Sequence, residues 1–147
     1  IEEIRKLSKE LVTPQLKDEN LANNIKVLIE DIQLAGTLNL SFNHQVEDEV
    51  LSSGKKITLF RIVQEQLKNI IKHSRAITTQ ISLRSTEDSV VLVMKDNGKG
   101  FDPKQTRQGI GLSNIHERAQ FYNGTADVKS SLGAGCTLTV TIPVKEN

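Results

Sequence analysis

The chain has 147 residues, of which 37% are hydrophobic and 25% charged, with a formal net charge of +1; that length suits one domain with its own core, and so balanced a charge supplies no field for nucleic acid or anionic lipid. Aromatic residues make up 3% with no tryptophan, which argues against base stacking on aromatic side chains. The single cysteine, Cys136, excludes an internal disulfide and fits a reducing compartment, no apolar run reaches the length of a membrane span, and no signal peptide is visible.

The chain opens at Ile1 inside a helical pattern, with Ile1, Ile4, Leu7 and Leu11 at helical spacing, which reads as a fragment of something longer. Pro14 ends that segment by restricting the residue before it. Leu21, Ile25, Leu28, Ile32 and Ala35 predict a second helix, with Gly36 as its stop. Residues 38–42, with Leu38, Leu40 and Phe42 alternating, predict a half-buried strand, and the polar stretch EDEVLSSGKK reads as a linker. The strongest helix covers 57–72, with Ile57, Phe60, Val63, Leu67, Ile70 and Ile71 on one stripe. Strands are expected at 78–84 and 90–95, joined as a hairpin by the polar STEDS. A glycine-containing loop follows over 97–111, then a short helix, LSNIHERAQFY, and two final strands, TADVKS and CTLTVTI, separated by SLGAG.

Hairpins within this mixed order predict an α/β (α+β) two-layer sandwich, a mixed β-sheet with helices on one face. They exclude a doubly wound parallel sheet, which alternates strand and helix throughout.

The chemistry-bearing residues cluster in the second half. Asp96 closes the apolar run VVLVMKD and is followed by Gly98 and Gly100. The third glycine of a dinucleotide fingerprint is missing, and the Walker and protein-kinase glycine loops are absent. Gly109/Gly111 and Gly133/Gly135 repeat the Gly-x-Gly pattern, which taken singly reads as ordinary turns. Glu65, Asn69 and Lys72 step along one helical face. A carboxylate, a carboxamide and an ammonium there suit a cation with a polyphosphate, Asn69 supplying a hard oxygen and Lys72 a positive charge; the alternative is a solvated face.

In order along the chain, QEQLKNIIKHSRA, DNGKG, GIGL and GAGCT resemble the asparagine box and the three glycine boxes of the ATP-binding catalytic domain of sensor histidine kinases. That superfamily is shared with gyrase and the heat-shock chaperones. GIGLSNIHERA and KHS resemble the short-lid subfamily of nitrate- and desaturase-type sensor kinases. The resemblance implies a Bergerat-type ATP-binding fold over 17–147, with 1–16 as the remnant of a dimerisation helix and its connection.

It further implies ATP and Mg2+ as ligands. Asp96 takes the place of the aspartate that accepts a hydrogen bond from the adenine amino group. Gly98 and Gly100 let base and lid approach closely. Asn69 matches the magnesium-binding asparagine and Glu65 a catalytic or metal-side position one turn earlier. Lys72 matches a basic position that faces the phosphates, and His73 a nucleotide-site position where the family often has an aromatic residue or histidine. Gly109 and Gly111 form the lid hinge before Leu112, whose helix points its N–H groups at phosphate. Cys136 and Thr137 lie in the third box, where the family has threonine at the position Cys136 holds. The resemblance implies transfer of the γ-phosphoryl to a histidine outside this chain, since none of His44, His73 and His116 has the phosphoacceptor setting. The partners it implies are the chain's own upstream dimerisation domain, a response regulator and a second copy in a homodimer. No nucleic acid or membrane contact is expected, and the location is cytoplasmic within a parent protein that is soluble or membrane-anchored. Three alternatives stay open: a regulatory module that binds ATP without transfer, an anti-sigma-type serine kinase, and a gyrase-like ATPase with Glu65 as general base.

Overall fold

The side-chain oxygen of Asn20 accepts a hydrogen bond from the Asn23 N–H at 3.0 Å and caps helix α1 (Leu21–Leu34). The computed structural model describes residues 20–36, 38–100 and 112–145. The predicted helix near Ile1, Pro14 and the hinge glycines Gly109 and Gly111 lie outside the described residues. Helix α1 buries Leu21, Ile25, Leu28 and Ile32, the expected stripe, and the chain turns at Gly36 with φ +75°. Strand β1 (Asn39–Gln45) runs past the predicted Phe42, and the rings of Phe42 and His44 stack on its inner face 5.1 Å apart.

After a 3-10 turn at Asp48–Val50 comes the central helix α2 (Ser53–Asn69). It starts four residues before the predicted Ile57, inside the stretch read as a linker. The Ser52 hydroxyl caps it by accepting from the Lys55 N–H at 3.3 Å. Lys55 is only 3% exposed, and its ammonium donates to the Pro143 carbonyl at 2.7 Å. A polar stretch is thereby buried, because a distant strand supplies the acceptor. Ile57 is a correction of the opposite kind, being 40% exposed, whereas Leu59 and Ile62 are fully buried. The helix packs against both neighbouring helices and the sheet, so its buried arc is wider than one stripe.

Beyond Asn69 the helix passes into a π turn (Ile70–Ser74) and ends at Arg75 in the left-handed region, φ 54°. Single π turns concentrate at functional sites. Strands β2 (Thr78–Ser85) and β3 (Ser89–Asp96) form the expected hairpin, followed by α3 (Leu112–Phe121), β4 (Thr125–Ser130) and β5 (Cys136–Pro143). The five-stranded sheet has the order β1-β2-β3-β5-β4. β1 and β2 are parallel because α2 crosses between them, and the remaining pairs are antiparallel.

Alternation sends Ile81 and Leu83, Val90, Leu92 and Met94, and Leu138, Val140 and Ile142 toward the helices. Gln80, Arg84 and Lys95 occupy the opposite, exposed face. The result is the anticipated two-layer α/β sandwich with a mixed sheet.

Candidate functional site

The inward phase of β3 continues through Val90, Leu92 and Met94 to Asp96, its last residue. A carboxylate therefore stands where the strand has otherwise placed apolar side chains, and it is 4% exposed. One oxygen, Oδ1, accepts from the Gly98 N–H at 2.8 Å. Burial pushes the Asp96 carboxyl above its ordinary 3.8, and the Gly98 hydrogen bond opposes that rise in part.

The loop after Asp96 is stitched to its surroundings. Asn97 Oδ1 accepts from the backbone N–H groups of Ile77 and Thr78, both at 2.9 Å. The Lys99 N–H donates to the Ser74 carbonyl at 2.8 Å. Ser74 in turn donates its hydroxyl to the Ile70 carbonyl at 2.8 Å and receives the Ala76 N–H at 3.0 Å. A Cβ at Gly98 would lie 2.6 Å from the Ser74 Cβ and overlap its carbonyl oxygen. A Cβ at Gly135, whose φ is +75°, would overlap the carbonyl oxygen of Asp96. These glycines thus let three backbone segments close around Asp96; at Gly98 the space a side chain would need is taken by Ser74 rather than left for a base.

Between the end of α2, the end of β3 and the β4–β5 turn lies a cavity of about 380 Å³, within the usual size of small-molecule sites. Among the sequence-predicted residues, Asn69, His73, Asp96, Gly100, Leu112 and Cys136 line it. Gln66, Ser74, Lys99 and Leu132 line it as well and were not anticipated. Glu65 is half-buried and Lys72 exposed, and neither reaches the wall. The cavity-facing stripe runs Gln66, Asn69, Ile70, His73 and Ser74, so Asn69 sits at the boundary between it and the face carrying Glu65 and Lys72. The signal for Gln66 was present, since it stands one turn before Asn69 and two turns before His73.

Asn69 is 8% exposed, and its amide nitrogen donates to Gln66 Oε1 at 3.3 Å. That bond fixes the amide and leaves its oxygen for another partner. Cys136 pairs directly with Asp96 across the β3–β5 ladder and is 6% exposed. Burial, and then the neighbouring Asp96 charge, push its thiol up to about 11, with the side-chain hydrogen bond between Ser130 and Cys136 opposing the rise. Thr137, the next residue, is half-buried and turned by the strand alternation to the other face of the sheet, away from the cavity. Among the described residues no group of three or more His, Cys, Asp and Glu is gathered to hold a metal.

A mixed-sheet sandwich whose cavity combines a buried carboxylate, a helix-borne amide and glycine-tight loops is a small-molecule-binding α/β domain. The chain belongs to the histidine kinase-, DNA gyrase B-, and HSP90-like ATPase family, whose model matches residues 54–146. It is 31% identical over 141 residues to the signal transduction histidine-protein kinase/phosphatase UhpB of Salmonella typhimurium, covering 95% of this chain and 28% of UhpB. It is 33% identical over 145 residues to the sensor protein VraS of Staphylococcus saprophyticus, covering 98% of this chain and 41% of VraS. The solved ATP binding domain of PrrB from Mycobacterium tuberculosis superposes with a TM-score of 0.59 at 26% identity, covering 78% of this chain and 85% of that one. The chain therefore spans less than half the length of the curated relatives it matches, and those relatives are sensor kinases. Among the described residues no helix is long and apolar enough to cross a membrane.

Proposed function

We propose that this chain binds ATP with Mg2+ in the cavity above Asp96 and donates the γ-phosphoryl to a histidine on a dimerisation domain. The observation that carries the reading is the placement of Asp96, a carboxylate 4% exposed in the wall of a nucleotide-sized cavity, with one oxygen committed to the backbone and the other without a hydrogen bond among the described residues. Its second oxygen accepts from the exocyclic amino group of adenine. Guanine presents a carbonyl oxygen at that position, which a carboxylate repels.

From the α2 side of the cavity Asn69 offers an amide oxygen that is uncommitted among the described residues, a hard ligand of the type Mg2+ takes, and a single protein ligand would suit an ion that keeps waters and phosphate oxygens. Mg2+ held there would offset the charge of the phosphates. Helix α3 begins at Leu112 on the cavity wall, and its first N–H groups, which have no intrahelical acceptor, favour phosphate oxygens. Glu65 and Lys72 lie off the wall, from where Glu65 would support the metal side of the site and Lys72 would offset outer phosphate charge. Gly109 and Gly111 serve as the lid hinge, and Thr137 supports β5 behind the base.

In the transfer, an imidazole nitrogen of the acceptor histidine attacks the γ-phosphorus in line. The bond from phosphorus to the β–γ bridging oxygen breaks, and ADP leaves with the electron pair. The chain's contribution is positioning and charge complementarity. The phosphoryl group then passes to an aspartate of a response regulator, within a homodimer of the parent protein in the cytoplasm.

The test is calorimetric titration with ATP and GTP, with and without Mg2+, followed by incubation with γ-labelled ATP and a histidine-bearing dimerisation domain. Selective ATP binding, magnesium dependence lost in Asn69→Ala, and label on histidine are the expected results. Binding without label would leave a regulatory ATP module, and equal binding of ATP and GTP would remove the adenine-site assignment.

A further inference from the structure

Across β2, β3 and β5 the inner face of the sheet is apolar except at one end. Along β2 it carries Thr79, Ile81 and Leu83; along β3, Val90, Leu92, Met94 and Asp96; along β5, Cys136, Leu138, Val140 and Ile142. The polar members fall in a single register row, because Thr79 pairs with Asp96 and Asp96 pairs with Cys136. Three adjacent strands turn polar at the same step, at the end of the sheet that borders the cavity.

Thr79 is the unexplained member of that row. It is 1% exposed, and its hydroxyl has no hydrogen-bond partner among the described residues. A valine has the same shape and would fill the position without an orphaned polar group, so threonine is the less stable choice unless its hydroxyl is used in another state of the protein. Its position is not loose: the paired hydrogen bonds from Ile77 and Thr78 to Asn97 Oδ1 tie the start of β2 to the end of β3. The other groups near the carboxylate are committed or weak. The Gly98 N–H already serves Oδ1, the Ser130 hydroxyl donates to the Gly135 carbonyl at 2.9 Å, and the Cys136 thiol is a poor donor.

We propose that Thr79 is a positioning residue for base recognition: when a nucleotide occupies the cavity, its hydroxyl turns to Asp96 and donates to the carboxylate oxygen that Gly98 does not hold. The assignment rests on the adenine-site reading of Asp96. The movement is a rotation about one side-chain bond between staggered positions. The donated hydrogen bond fixes the plane of the carboxylate and favours its ionised form, the form that accepts from an amino group on the base. An oxygen with two lone pairs takes both donors. Thr79 itself does not line the cavity, so its effect on the ligand passes through Asp96.

The two roles open to Thr79 move different observables. Thr79→Val removes only the hydroxyl, and Thr79→Ser keeps it. The measurements are ATP and GTP affinity by calorimetry and thermal stability without nucleotide, on the wild type, both variants and Asp96→Asn. Thr79→Val is expected to melt at or above the wild-type temperature while binding ATP about tenfold more weakly and discriminating less against GTP. Thr79→Ser is expected to restore affinity to within about twofold. Unchanged ATP affinity in Thr79→Val, with wild-type binding intact and lost in Asp96→Asn, would overturn the role of Thr79 and leave the adenine site standing. If the wild type fails to prefer ATP, or Asp96→Asn binds normally, the underlying site reading falls, and the inference falls with it.

Discussion

Asp96→Asn separates binding from stability. Besides the Thr79 hydroxyl, two donors converge on the carboxylate in the ATP complex: the Gly98 N–H, 2.8 Å from Oδ1, and the adenine amino group on the other oxygen. A carboxylate satisfies both because both of its oxygens accept, whereas an amide has one acceptor and one donor. If the amide oxygen stays with Gly98, the NH2 group faces the adenine amino group; if the amide flips, it faces the Gly98 N–H. Either way one donor meets another in a site where water has little access. Losing a hydrogen bond to a charged acceptor costs about 1.5–3 kcal/mol, and leaving a buried donor unpaired adds about 1–3 kcal/mol. The expected loss of ATP affinity is therefore on the order of a hundredfold to ten-thousandfold.

Stability moves the other way. Because burial holds the Asp96 carboxyl above its ordinary 3.8, the folded state binds the proton more tightly than the unfolded state does. The wild type therefore loses stability as pH rises from about 3.8 through that raised value, and regains it as pH falls. Asparagine carries no charge to desolvate and keeps an acceptor for Gly98. The variant should melt above the wild type at neutral pH, with the gap closing as pH is lowered. Calorimetry with ATP and thermal melts across pH check both halves. A variant that binds ATP normally, or that melts lower at neutral pH than in acid relative to wild type, would refute the reasoning.

Gly98→Ala should destabilise the domain by about 1–3 kcal/mol, read from chemical denaturation, because the added methyl meets the Ser74 backbone and side chain; the same shift of the loop should weaken ATP binding. The Cys136 thiol, pushed up to about 11 from 9.0, should be slow to alkylate at neutral pH in the folded chain, where the thiolate is scarce. Its sign in stability is fixed: the contribution is present below pH 9, where both states keep the proton, and is lost as pH rises toward 11, up to about 2–3 kcal/mol. Wild type and Cys136→Ala should therefore show parallel stability below pH 9 and diverge above it, with the wild type falling faster.

The relation between sequence and structure differs from element to element. The stripe of α1, the β2–β3 hairpin and the last two strands carry a clear period, and the structure places them as that period implies. The start of α2 does not, because Ser53, Gly54 and Lys55 look like linker until the Pro143 carbonyl arrives from β5 to hold the Lys55 ammonium. Ile57 fits the helical stripe but lies on a flank of the helix that its neighbours leave uncovered, although Lys55 and Leu59 on either side of it in the chain are buried.

At the site, the type and order of the chemistry-bearing residues were set by the sequence alone: an aspartate ending an apolar strand, glycines after it, and an asparagine in the middle of an apolar helix. These belong to single segments, and the spacing within a segment is fixed by backbone geometry. Which flank of α2 faces the ligand was a different matter. Glu65 and Lys72 share a helical face with Asn69 as well as Gln66 and His73 do, and only the packing of α2 against the sheet and α3 turned the Gln66–His73 flank inward. The row of Thr79, Asp96 and Cys136 likewise joins strands far apart in the chain. Its alignment follows from the ladder register, which depends on pairing between segments and is therefore decided only when the sheet assembles.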